Sequence, residues 1–234
     1  MISSSLKGTS SPLNPHDDQF KGLASAEKAA LTKPCENSDY ITIFNDPINF
    51  NIKHPLQSSW TLWYDSASKK SNTKDWTQNI KALITFSTVE DFWGVFNNIS
   101  KVSELSIGSN FHLFKEGIRP AWEDPANENG GRWMCQPNRQ QATSYIDDLW
   151  LYSILYCIGE SGPEADETCG LVVSARKAFY RISLWTRSSS DAEILKQVGT
   201  QFREAIDLTS KEQLEFQPHN ESHKFADKSE KLIV

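Results

Sequence analysis

The amino-acid sequence predicts an α+β fold in which helices cover one face of an antiparallel β-sheet. Three observations predict it. Short segments such as IKALITF at 80–86 alternate apolar and polar residues, the mark of strands. Longer segments place apolar residues three and four apart, the mark of helices. The two kinds alternate at hairpin spacing, not as regular strand–helix–strand units, and no internal repeat is present, which disfavours a parallel sheet.

Taken in order, residues 1–40 are rich in Ser, Lys, Asn and Pro, have no sustained apolar period and carry no Trp. They are expected to form a disordered tail. One domain is expected over 41–217. SSWTLWY at 58–64 reads as a strand with aromatics on both faces, and 80–86 as a second. Ser87-Thr88-Val89-Glu90 is a capping-box sequence with Ser87 at the N-cap, opening a helix to about Ile99 with Val89, Phe92, Trp93 and Phe96 at helical spacing. Residues 110–114 form a strand. Asn129-Gly130-Gly131 is a turn that leads into a strand at 132–136. A second helix covers 145–158. Strands at 171–175 and 181–185 make a hairpin around 176–180. A third helix covers 192–208, and a short strand 214–216. The end, 218–234, is polar except for Leu232-Ile233-Val234 and is expected to be a flexible, loose or weakly docked tail.

Composition narrows the function. The 234 residues carry a formal net charge of −6, and the pI is about 5.4. Wrapping nucleic acid through many phosphate contacts needs the opposite sign, so any nucleic-acid partner is gripped at one small feature. Cys35, Cys135, Cys157 and Cys169 form no CxxC pair and the five His do not cluster with them, so neither metal nor cofactor is expected. No signal peptide is visible, and no run approaches the ~20 apolar residues of a membrane-spanning helix. A cytoplasmic location, or a nuclear one, is expected, with reduced thiols.

No Gly-rich phosphate loop, HExxH or GxSxG is present. Acidic pairs occur at Glu90-Asp91, Glu123-Asp124 and Asp147-Asp148, but nothing supplies a nucleophile, a metal set or an evident base. A nucleotide hydrolase built on Glu123 and Asp124 is the enzymatic alternative; a non-enzymatic binding protein is the favoured reading. Eight Trp is a heavy load, because each buried indole N–H needs a partner, and it calls for more than core filling. Trp76 follows a polar stretch at 66–75, and Trp122 lies in RPAWEDP, a loop stiffened by prolines. Two such loop Trp can sandwich a flat cationic heterocycle, at ~0.5–2 kcal/mol for each cation–π face. Glu123 can accept a pair of hydrogen bonds from a guanine-like edge. Arg132, Arg176, Lys177 and Arg181 are candidate phosphate ligands. Separately, Val89 and Trp93 lie one helical turn apart, and Leu151, Tyr152 and Leu155 form a stripe on the second helix. These helices are apolar nearly all round, so with a sheet on one side some residues must face outward, where a partner helix would dock.

The motifs His54-Pro55-Leu56, Trp60-x-Leu62-Trp63, the Trp76 loop, Thr88-Val89-Glu90-Asp91-Phe92-Trp93, Leu113-Phe114-Lys115-x-Gly117-Ile118-x-Pro120-x-Trp122-Glu123-Asp124, Gly130-Gly131-Arg132-Trp133 and Ile182-x-Leu184-Trp185-Thr186 stand in order. From about His54 to Phe216 the chain resembles the messenger RNA cap-binding translation initiation factor 4E family, its fungal members most. The resemblance implies a curved antiparallel sheet with three helices on its convex face, shaped like a cupped hand. It implies that Trp76 and Trp122 sandwich the 7-methylguanine, that Glu123 binds the base N1 and N2 groups, and that the Trp122 backbone N–H meets O6. Arg176, with Arg181 and Arg132, would hold the triphosphate, and Trp185 would lie against the methyl group. On the convex face His54, Pro55, Leu56, Val89, Trp93 and Leu155 would receive a helical peptide of the scaffold factor 4G or of repressor proteins. Two departures stand out. Many members have a second basic residue where Ala178 stands, so either the adjacent Lys177 takes over or phosphate affinity is weaker. Many have an acidic residue where Tyr152 stands, which keeps open a regulatory cap-binding paralogue that represses translation or serves a different partner.

Overall fold

The computed structural model describes residues 53–66, 79–162, 164–208, 212–220 and 232–234, all within one compact unit, Thr42–Val234. The tail expected over 1–40 lies outside the described residues. The elements are β1 (Pro55–Asp65), β2 (Lys81–Thr88), α1 (Val89–Phe96), β3 (Asn110–Lys115), β4 (Gly131–Cys135), α2 (Arg139–Ala142), α3 (Ile146–Gly159), β5 (Thr168–Ala175), β6 (Tyr180–Thr186), α4 (Ala192–Ala205) and β7 (Glu215–Pro218). Seven strands form one curved sheet in the order β2-β1-β3-β5-β6-β4-β7. Every neighbouring pair is antiparallel.

Side chains alternate across a strand, so each strand sends one set to the helices and one away. Trp60 and Leu62 of β1, Phe111 and Leu113 of β3, Leu171 and Val173 of β5, Ile182 and Leu184 of β6 and Trp133 of β4 join Trp150, Ile154, Leu195, Val198 and Phe202 of the helices in one core. The other set includes Asp65, Asn110, His112, Phe114, Arg132, Arg181 and Trp185, on the face that none of the described helices covers.

The departures from expectation have local causes. The N-cap of α1 is Thr88, not Ser87: Thr88 keeps extended backbone angles, pairs with Pro55 and accepts the Asp91 N–H at 3.2 Å. Glu90, expected to reach back to the cap, is drawn instead to His54. α1 ends at Phe96 because Asn98 donates its side-chain amide to the Gly94 carbonyl at 2.7 Å. α4 stops at Ala205, two residues before Asp207 takes a left-handed φ of 50°. A fourth, one-turn helix, α2, is capped by Asn138 and too short for apolar periodicity to reveal. The closing residues, expected to be loose or weakly docked, are docked on the sheet edge: Phe216 N–H donates to Leu232 O at 3.0 Å, Val234 N–H to Leu214 O at 3.1 Å, and Leu232 is buried. Apolar burial and backbone pairing at the sheet edge hold them.

Trp133 is fully buried and lies against Gly199 of α4; a Cβ there would come within 2.6 Å of its ring. Gly199→Ala should therefore destabilise the domain by roughly 1–3 kcal/mol through overpacking, outweighing a helix-propensity gain of at most ~1 kcal/mol. Urea unfolding reads it, and unchanged or raised stability would show that the ring moves aside freely.

Candidate functional site

Alternation along β6 puts Arg181, Ser183 and Trp185 on the helix-free face. The register sets Trp185 beside Arg132, and Arg132 beside Gln217 of β7, which accepts an Arg132 Nη2–H at 2.9 Å. Trp185 is only 7% exposed. It meets Phe114 edge to face at 5.4 Å between centroids, and the His219 ring at 4.1 Å. Gly170 makes room for Phe114: a Cβ there would fall 2.4 Å from that ring. The Trp185 indole N–H and His219 Nε2 are buried without a hydrogen-bond partner. Burial, then the Arg132 charge, pushes the His219 imidazole down to about 4.

The loop at 116–130 is built to hold Trp122 outward. Asp124 is buried and takes the backbone N–H groups of Arg119 and Ala126, both at 3.0 Å. The fully buried Asn127 donates to the carbonyls of Arg119 at 3.0 Å and Ala121 at 2.9 Å. Ile118 and Ala126 pack on the cluster of Phe114, Cys169, Val172 and Trp185, so the loop docks beside Trp185. Between these staples Trp122 is 52% exposed and Glu123 is exposed. Asp124 is thus occupied as a loop staple, which weakens the hydrolase reading. Trp76 lies outside the described residues.

Three arginines share this face. Arg176, just past β5, donates to Asn110 Oδ1 at 2.9 Å and to Ala175 O at 3.1 Å. Arg181 sits over the Phe179 ring at 5.3 Å, and its Nε–H is buried without a partner. Burial and then the Arg181 charge lower the proton affinity of both Arg132 and Arg176; Asp65 opposes this at Arg176. Lys177 is exposed on the hairpin turn. Asp65, Asn110, Gln217 and His219 went unmarked in the sequence. Period-two alternation along β3 and β7 could have placed Asn110 and Gln217 on this face, but His219 follows Pro218 in what reads as tail.

The second predicted group lies on the helical side. Val89 N–H donates to the His54 carbonyl at 2.9 Å, His54 N–H to Glu90 Oε2 at 2.7 Å, and the His54 ring meets the other Glu90 oxygen. Lys53 pairs with Asp91 at 3.0 Å. These contacts bring His54 and Pro55, both exposed, to the start of α1. Val89 and Trp93 are 37% exposed on α1, Tyr152 44% and Leu155 38% on α3. Leu56 and Leu151 differ from the rest of the set: they are partly buried and pack on the core. A cleft of about 280 Å³ separates the end of α1 from α3, lined by Phe96, Ile99, Trp150 and Leu151 among others. The described members of the two predicted groups therefore lie on opposite sides of one sheet. Among the described residues no His, Cys, Asp and Glu group could hold a metal ion.

Comparison with known proteins agrees with this architecture. A model of the family described as eukaryotic initiation factor 4E matches residues 55–233. The chain is 42% identical over 184 residues to eukaryotic translation initiation factor 4E-1 of Schizosaccharomyces pombe, covering 78% of this chain and 83% of that protein. Among solved structures, a complex of Ascaris suum eIF4E-3 with an m2,2,7G cap superposes with a TM-score of 0.71 at 34% identity, covering 78% of this chain and 99% of that one. A complex of C. elegans eIF4E-3 with the 4E-binding protein Mextli and a cap analog gives 0.67 at 35% identity, covering 73% and 95%.

His219 yields a pH signature. Its proton is held in the unfolded chain below about 6.5 but in the folded one only below about 4. Stability is then complete above the first value and is lost as pH falls between the two, because the unfolded state binds more protons there. Denaturant unfolding at pH 7, 6 and 5 should show that slope, and His219→Gln should flatten it; an equal slope in the variant would assign it to other groups.

Proposed function

Because this chain belongs to the eukaryotic initiation factor 4E family, we propose that it binds the 7-methylguanosine 5′ cap of messenger RNA and recruits it to translation through a scaffold-factor peptide docked on its helical side. One observation carries the reading: a stapled loop that bears an exposed Trp docks beside a buried Trp, on a face that carries three arginines and that no described helix covers. A methylated guanine is a flat cation with an acidic-edge complement in Glu123 and a triphosphate to satisfy the arginines. Trp76 is the second stacking face. An acidic protein can bind RNA this way, because stacking and a few phosphate contacts replace a broad basic surface. The action is binding, without catalysis, and it is exercised in the cytoplasm. The relatives named as initiation factors favour this over a repressor paralogue.

The helical side takes the partner. Val89, Trp93 and Leu155 offer an exposed apolar strip for an amphipathic helix, and His54 and Pro55 flank it. Scaffold factor 4G and 4E-binding repressors are the partners proposed, competing for that strip.

Trp122→Ala should reduce affinity for 7-methyl-GTP strongly while the fold is kept. Losing the methyl charge altogether removes cation–π attraction on two faces, on the order of 2–4 kcal/mol, so GTP should bind the unaltered protein about 30- to 1,000-fold more weakly. Tryptophan fluorescence titration reads both; equal quenching by GTP, or full affinity in the variant, would retire the sandwich. Trp93→Ala should abolish partner-peptide binding and leave 7-methyl-GTP affinity within about two-fold, since the sites lie on opposite faces of a rigid sheet. Loss of both in a folded variant would refute the separation.

A further inference from the structure

Asp65 ends β1 on the helix-free face, paired in register with Asn110 of β3. We infer that Asp65 is a positioning residue for the Arg176 guanidinium, acting through the Asn110 side-chain amide. The inference rests on the phosphate role proposed for Arg176. Asn110 donates its amide N–H to Asp65 Oδ1, and its Oδ1 accepts from Arg176 Nη2 at 2.9 Å. An amide has one donor end and one acceptor end. Holding the donor end on a carboxylate turns the acceptor end to the arginine. Without the carboxylate the amide can rotate and present N–H against N–H, and Arg176 keeps only the Ala175 carbonyl.

The anchor is itself fixed. His112 Nε2 lies 3.4 Å from the same Asp65 oxygen, with side-chain exposures of 7% and 17% for the two residues. Burial raises the Asp65 carboxyl, but hydrogen bonds from His112 and Asn110 outweigh it and hold the group below the usual carboxylate range. The carboxylate is therefore ionised at neutral pH. Two effects of removing it oppose each other. Loss of a negative charge near Arg176 favours phosphate, but Asp65 weighs less on Arg176 than burial or the Arg181 charge does. Loss of the held guanidinium requires a long side chain to be ordered on binding, and that effect is the larger.

The experiment compares affinities for 7-methyl-GTP and 7-methyl-GMP, whose ratio isolates the outer phosphates, across a double-mutant cycle. Asp65→Ala should lower the ratio by about three- to ten-fold, the size of ordering one long side chain, in the otherwise unaltered chain. It should have no further effect in an Arg176→Ala background. Partner-peptide binding on the opposite face reports that each variant is folded. An unchanged or raised ratio, or an equal loss in both backgrounds, overturns the inference while leaving the phosphate reading intact. If the unaltered protein binds both ligands equally, the phosphate role of Arg176 fails and the inference fails with it.

Discussion

A sheet with helices on one side only must bury every second residue of its central strands against them, and the rest of this structure depends on that constraint. β6 shows it in one line: Tyr180, Ile182 and Leu184 are buried in the helical core, while Arg181, Ser183 and Trp185 face the other way. A one-residue slip would exchange the two sets, so the register that stabilises the core is the register that assembles the site. Trp133 against Gly199 and Phe216 against Trp133 lock it at the β4 and β7 edge.

With one face committed to the core, the opposite face can hold groups that are costly when empty. The Arg181 charge adds to burial in lowering the proton affinity of Arg132 and Arg176, and buried polar atoms of Trp185, Arg181 and His219 have no protein partner among the described residues. Such a surface gains more from an anionic, hydrogen-bonding ligand than a surface already satisfied would. Preorganisation comes from polar staples, not from the apolar core: Asp124 and Asn127 hold the Trp122 loop, and Asn110 with Asp65 holds Arg176.

The helical side follows different physics. α1 and α3 carry more apolar surface than one sheet face can cover, and Val89, Trp93, Tyr152 and Leu155 remain outside. The Glu90 and Asp91 carboxylates, placed in the first turn of α1 where the helix dipole favours them, also tie down Lys53 and His54. The entry to β1 is thereby joined to the partner strip, and both functional faces share the strands between them.

Much was legible in the sequence because it depends on neighbours in the chain. Strand and helix periods placed all seven strands and the three long helices, and the Pro-bracketed RPAWEDP segment marked Trp122 as a loop residue that is exposed in the fold. The acidic charge and absent catalytic motifs directed the reading to binding at one small feature. Other features were decided by the tertiary structure. The cap of α1 moved to Thr88 because β2 pairs one residue further, a matter of partner strand β1. Asp124 became a staple and not a candidate acid because its partners converge only once the loop closes. Asp65, Asn110, Arg176, Arg181, Trp185 and His219 come from five strands or their ends, up to 154 positions apart in number, and no local pattern joins them. Periodicity is a property of consecutive residues, and it carries the fold; the site is a property of strand order and register, which exist only when the sheet has formed.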